Sequence, residues 1–437
     1  MTRDAEKDAL GTEHLDDAGS GASQVDIDVD EEFTYKEQRK IIHRVDRRLV
    51  TICGLSYCIS LMDRTNLSNA AIAGMTKELE LEVGFRYSII VLVFFVPYVC
   101  FQIPATAVIR RLGPRNFLSA IVLTWGVMMI GFGFTNNWEQ LAALRVVLGI
   151  LEAGFFPGCV YLLSTWYSRY DTQKRYSFFY FIGSFASALT GILAFGFMQL
   201  EGREGMMGWR WIFILEGVLT GVVAILCYIF LVDFPDQGHK AWGFLNERES
   251  AFIIRRLNRD RGDANVEPFN LRKYLRPCLD LKVCSTTLSY AIAYFLPIIL
   301  ESGMGFGTGE SQCLVAPPYA FAGLVMMTTA YFSDKYKIRS PFIVLNAVLA
   351  LIGLPLMGWA ESNAVRYFGV FLTTAGANAN VPAAMGYQAN NIRGQWKRAL
   401  CSATLVGLGG VGGIAGSLVF RSQDSPEYYP GIYACLA

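Results

Sequence analysis

Eleven apolar runs, each about 17 to 25 residues long, divide this chain of 437 residues. A helix of about 20 apolar residues spans the hydrocarbon core of a bilayer. Lipid offers no partner to a backbone N–H or C=O, so each crossing must satisfy its own hydrogen bonds as a helix. The pattern therefore predicts an all-α, polytopic membrane protein. The runs cover 49–73, 85–109, 117–134, 141–163, 176–198 and 211–232. After a polar stretch they resume at 283–300, 313–332, 341–359, 365–388 and 399–420. The seventh run is at the short limit for crossing, and the chain stops at Ala437, where a twelfth would begin after Pro430. The expectation is a truncated second half with a short seventh span and a missing twelfth.

Four segments follow. Residues 1–48 read as a polar, acidic, disordered tail that ends in a basic collar. Residues 49–232 form a six-helix bundle, 233–282 a cytosolic loop, and 283–437 a second bundle. Two similar sets of spans are a common transporter architecture. The collar (Lys36, Arg39, Lys40, Arg44, Arg47 and Arg48) puts the N-terminus in the cytosol. Loop charges agree: Arg110, Arg111 and Arg115 follow span two, and Lys335, Lys337 and Arg339 follow span eight, whereas 135–139 carries no Lys or Arg. In the loop, Asn246-Glu-Arg-Glu249 looks like a capping box. It predicts a short surface helix at 252–257 with Arg255 and Arg256 on its wet side.

Several functions are excluded. The net charge is +1, and no basic patch interleaves with aromatics outside the spans, so nucleic acid is not a partner. Ten cysteines lie scattered without a CxxC pair and read as buried free thiols. His14, His43 and His239 lie in polar segments, which leaves no histidine metal site. Gly407-Leu-Gly409-Gly-Val-Gly412 matches the dinucleotide fingerprint, but no strand precedes it and it lies inside an apolar run. Small residues that let helices approach closely explain it better, so no cofactor is expected. No GxSxG, HExxH or P-loop is present, which argues against an enzyme.

Charged and polar groups inside the runs carry the chemistry. Arg145 and Glu152 in span four are seven residues apart, two helical turns, so both project from one face. A charge at the centre of a membrane helix costs about 2.5–3.5 kcal/mol even on the lenient scale. Two on one face imply a cavity or a charged partner. Span one supplies Asp63 and Arg64, which as neighbours point about 100° apart, and Asn66 beyond them. Tyr98 and Gln102 share a face of span two, flanked by Pro97 and Pro104, and Gln388 adds polarity to span ten. Burial favours a neutral carboxyl, whereas arginine stays charged. Protonating one carboxylate then leaves a spare positive charge for an anion. The alternatives at this point are a structural ion pair between helices and solvated caps at the outer end of span one.

Together with Leu112-Gly-Pro-Arg115, Arg145-x-x-x-Gly149-x-x-Glu152-Ala-Gly-x-x-Pro157-Gly158, Gly208-Trp-Arg-Trp-Ile-Phe213 with Glu216-Gly217, Ala316-Pro-Pro-Tyr319 and Asn391-x-x-Gly394-x-x-Lys397-Arg398, these residues resemble the major facilitator superfamily. Within it they resemble the anion:cation symporter branch, which includes the fungal allantoate and nicotinate permeases. The resemblance runs from about residue 40 to the end. It implies two pseudo-symmetric helical bundles that rock around a central site. Asp63 and Glu152 match proton-coupling carboxylates, Arg64 and Arg145 cavity arginines, and Tyr98 a substrate-contacting tyrosine. Gln102, Asn66 and Gln388 are further candidate substrate contacts, and Arg111, Arg115, Asp334 and Arg339 a candidate cytosolic gate. Two departures stand out: Arg110 replaces the usual Asp of the loop motif, and Gly183-Ser-Phe-Ala-Ser replaces the Gly-Pro motif of drug antiporters. The reading is a monomeric plasma-membrane carrier that imports a small organic carboxylate with protons. Nicotinate comes first, then pantothenate or allantoate. An anion exchanger, a drug-type antiporter and a non-transporting nutrient sensor are the alternatives.

Overall fold

The computed structural model describes residues 33–261, 296, 300, 304–336, 338–391 and 395–419. Nearly all of the seventh run, the first 32 residues, the end of the polar loop and the position of a twelfth span lie outside the described residues. Residues 1–43 make one unit and Arg44–Ala437 the other. Helix α1 (Tyr35–Val45) begins in the first and is capped by Glu37, whose carboxylate accepts from the Thr34 N–H at 2.9 Å and its hydroxyl at 2.8 Å.

The second unit is helical, with no strand among the described residues. A π turn at Asp46–Val50 leads into α2 (Thr51–Ala70). Helices α3 (Arg86–Leu112), α4 (Pro114–Phe132), α5 (Trp138–Glu152) and α6 (Phe155–Trp166) follow. Next come α7 (Arg169–Met198), α8 (Gly208–Phe230) and the surface helix α9 (Glu247–Arg261). The second half holds α10 (Thr308–Leu314), α11 (Ala316–Tyr336), α12 (Ser340–Trp359), α13 (Asn363–Asn391) and α14 (Gln395–Val419). Six spans among the described residues are long and apolar enough to cross a membrane, with α5 and α6 counted as one. Helix α2 reaches 20 residues but dilutes its hydropathy with Asp63, Arg64, Asn66, Ser68 and Asn69, all buried in protein.

Charged ends make the helices longer than the apolar runs. Helix α7 begins at Arg169, seven residues before the run that predicts it, because Arg175 is held by Asp46 at 3.0 Å and by Asp171 at 3.1 Å. Helix α9 is also longer than expected, and one detail is corrected: Arg256 turns inward to Asp171 at 3.0 Å, while Arg255 faces out. Between α3 and α4 the chain turns at Gly113, whose φ of 81° suits glycine. Asp233 closes that turn. Its Oδ1 accepts from the Arg115 N–H at 3.2 Å and stands 3.0 Å from where a Cβ on Gly113 would lie.

The two halves meet along α3–α14, α6–α14, α7–α11 and α7–α13. At the first contact the glycines of α14 act as a packing surface. A Cβ on Gly410 would stand 2.7 Å from the Val99 side chain, and one on Gly407 would stand 3.3 Å from Gln102 Oε1. Cys53, Cys159, Cys227 and Cys401 are buried free thiols.

Candidate substrate and proton site

Span four is the most enclosed of the six: 78% of its window is buried, against 28–44% for the others. It is also broken. Pro157 has no N–H, and its ring opposes the carbonyl four residues back, that of Ala153. The helix accordingly stops at Glu152 and restarts at Phe155. The break leaves Glu152 as the last residue of α5, with Arg145 two turns earlier on the same face.

Glu152 meets Arg64 of α2. The guanidinium donates from Nε and Nη2, both at 2.8 Å, to the same oxygen, Oε2. Glu152 Oε1 has no hydrogen-bond partner among the described residues, and the two side chains are 0% and 3% exposed. Aromatic faces of α3 support the cation. Arg64 lies 4.6 Å over the Tyr98 ring, which stacks on Phe94 at 5.5 Å. Arg145 lies 5.3 Å over Phe132 and 6.0 Å over Phe94, so the two guanidinium groups share the Phe94 ring. Desolvated cation–π contacts of this kind contribute up to about 2 kcal/mol each.

Asp63 points away from that pair, into the junction of α2, α4 and α8. Its Oδ2 accepts from the Trp125 indole N–H at 2.9 Å and from the Thr220 hydroxyl at 3.3 Å. One turn before Thr220 sits Glu216, 1% exposed, with neither carboxylate oxygen hydrogen-bonded among the described residues. Sequence reasoning quoted Glu216 only as part of a motif and missed it as a site residue. The signal was there: it is a carboxylate inside the sixth apolar run, the same feature that singles out Glu152. Trp125 and Thr220 left no such signal, since an indole and a threonine pass unnoticed in an apolar helix.

The remaining candidates fall in several places. Asn66 and Gln102 are fully buried with unpartnered amide groups, Gln102 beside Gly407. Gln388 donates to the Cys401 carbonyl at 2.9 Å and lines a separate small cavity with Ser164, Tyr176 and Ser402. Of the gate residues, Arg115 is held inside the first half: its Nε donates to the Tyr228 carbonyl at 2.7 Å and its guanidinium covers the Tyr228 ring. Arg339 is held inside the second half, on the Gly386 carbonyl. Arg111 is exposed, and Asp334 is half-buried with an unpartnered Oδ2. Arg110, where the family motif has Asp, donates to the Tyr161 hydroxyl at 2.9 Å.

Residues 53–417 match the sequence profile of the Major Facilitator Superfamily. The chain belongs to that superfamily. It is 28% identical to the major facilitator-type transporter hxnP of Emericella nidulans, over 97% of this chain and 86% of that protein. It is 27% identical to the high-affinity nicotinic acid transporter of Saccharomyces cerevisiae, over 92% of this chain and 75% of that one. The solved xylose transporter XylE from E. coli, partially occluded and inward open, superposes with a TM-score of 0.67 at 12% identity, over 90% of this chain and 96% of that one. At that identity the likeness shows the fold alone. The protein is a multi-pass membrane transporter of the major facilitator fold, and it is not an enzyme.

Proposed function

We propose that this carrier imports a small organic carboxylate together with protons, with nicotinate as the first substrate and pantothenate or allantoate behind it. One observation carries the reading. Arg64 binds a single oxygen of Glu152, while the other oxygen is held out of water with no partner among the described residues. That free oxygen is where a proton can add. Once it does, the carboxyl no longer balances Arg64, and a buried guanidinium without a counter-ion is strongly disfavoured. An incoming carboxylate restores the balance and can accept two parallel hydrogen bonds from the guanidinium. Proton and anion therefore favour each other's binding, and the coupling is reciprocal. Arg145 supplies a second positive charge over the same Phe94 ring.

The likeness to a nicotinic acid transporter supports nicotinate as the first probe. The basic collar and basic loops support a cytosolic N-terminus, and a plasma-membrane carrier working as a monomer is part of the same proposal. The test uses vesicles holding the purified chain, an acid-outside gradient and labelled nicotinate, pantothenate and allantoate. The wild type accumulates one of them, and Glu152→Gln loses the gradient dependence. Gradient-driven uptake that survives Glu152→Gln unaltered removes the coupling. Wild-type flux indifferent to the gradient points to exchange instead, and no flux at all to a sensor.

A further inference from the structure

We infer that Glu216 is a second proton-binding carboxyl, one helical turn from the Thr220 hydroxyl that bonds Asp63, an addition that rests on the proton-coupled reading above. The Glu152–Arg64 pair makes no use of this group. Glu216 sits midway along α8, is 1% exposed, and has neither a hydrogen-bond donor nor a cation on its carboxylate among the described residues. A buried carboxylate left without a partner is strongly disfavoured in its charged form, so a bare one needs another way to shed its charge. Here that way is a proton.

Thr220 ties the two carboxyls to one junction. Thr220 has one hydroxyl hydrogen and two acceptors in reach: the Glu216 backbone carbonyl at 2.8 Å and Asp63 Oδ2 at 3.3 Å. It can turn to Asp63 when that carboxylate is ionised and turn back to its own helix when it is not. Asp63 Oδ1 is also unpartnered and buried. The groups facing this junction are Asp63 from α2 and the Trp125 indole from α4, with Glu152 and Arg145 of α5 in electrostatic reach of Asp63. Glu216 lies one helical turn before Thr220, which places the two carboxyls at one junction. Taking up a proton forms an O–H bond on Glu216 and removes its negative charge, and releasing the proton to water breaks that bond and restores the charge. Because Asp63 and Arg64 are consecutive on α2, a charge change on the Glu216 side is felt at the arginine that holds Glu152.

The test is an infrared titration of the purified full chain in lipid nanodiscs between about pH 5 and 8, which reads the C=O stretch of protonated carboxyls without any substrate. We expect a titrating band that vanishes in Glu216→Gln, moves in frequency in Glu216→Asp, and shifts its midpoint in Asp63→Asn. A titration left intact by Glu216→Gln overturns the inference. So does a Glu216 band that never changes with pH, which marks a permanently neutral structural group. Should Glu216→Gln fail to fold, Glu216→Asp decides alone, through a moved band or an unmoved one. Failure of the broader reading looks different: wild-type vesicles that show no gradient-driven uptake of any carboxylate.

Discussion

The two halves of this transporter bury polarity in different ways. The first half, among the described residues, holds five fully buried acidic and basic side chains inside its spans: Asp63, Arg64, Arg145, Glu152 and Glu216, none more than 3% exposed. The second half, among the described residues, buries only neutral polar groups, including Gln312, Asn346, Thr373, Thr374 and Ser402. Two bundles of one fold thus divide the labour. One concentrates charge, where adding a proton or an anion changes the energy most. The other offers neutral hydrogen-bonding groups and close contact, as where a Cβ on Gly376 would stand 2.6 Å from the Ala350 nitrogen. The charged cluster lies within the first half, so a movement of one half against the other would make or break none of its ion pairs.

The largest expected effect tests whether the charge cluster is as buried as described. Arg64→Met strips Glu152 of its partner and leaves a carboxylate in the core, which should cost about 3–5 kcal/mol. Thermal unfolding in detergent should show that loss, and uptake should vanish. Arg64→Met combined with Glu152→Leu should regain most of the stability, since apolar replacement of a whole buried pair is close to neutral. Uptake should stay absent. A single mutant as stable as wild type would erase the distinction between the halves.

A smaller effect is expected at Asp63. Trp125→Phe keeps most of the ring packing but removes the indole donor, leaving Thr220 as the one remaining donor to Asp63 among the described residues. Loss of a hydrogen bond to a charged group costs about 1.5–3 kcal/mol. The pH dependence of uptake should also shift, because Trp125 favours the ionised carboxylate by donating to it. Unfolding curves and uptake at several pH values check the two parts separately. A stability loss with an unmoved pH profile would confine Trp125 to packing.

The fold was largely legible because lipid imposes one rule on every span, and the apolar runs overlap the described spanning helices in order. Helix ends were less legible. Arg169 to Arg175 belong to α7 through the Asp171–Arg175 pair one turn apart and through an ion pair with Asp46, which lies far off in sequence. The site was half legible. Spacing alone puts Arg145 and Glu152 on one face, but which cation meets Glu152 is decided by how α2 lies against α5, and the answer is Arg64. Hydropathy counts tryptophan as nearly apolar, so the donor that fixes Asp63 was hidden. Asp233, which closes the turn at Gly113, lies over a hundred residues from the loop it serves.

The smallest effect belongs to the neutral half. Thr373 bonds back to its own helix, on the Gly369 carbonyl at 2.9 Å, but the Thr374 hydroxyl beside it is buried without a partner. Thr374→Val keeps the shape and removes a buried hydroxyl that makes no hydrogen bond among the described residues, so stability should rise by about 1 kcal/mol. If the second bundle contributes neutral contacts and no charge chemistry, the pH profile of uptake should be that of wild type. Any change should appear in the substrate concentration needed for half-maximal uptake. A shifted pH profile in Thr374→Val would show that proton binding reaches into the second bundle, and the division between the halves would have to be drawn elsewhere.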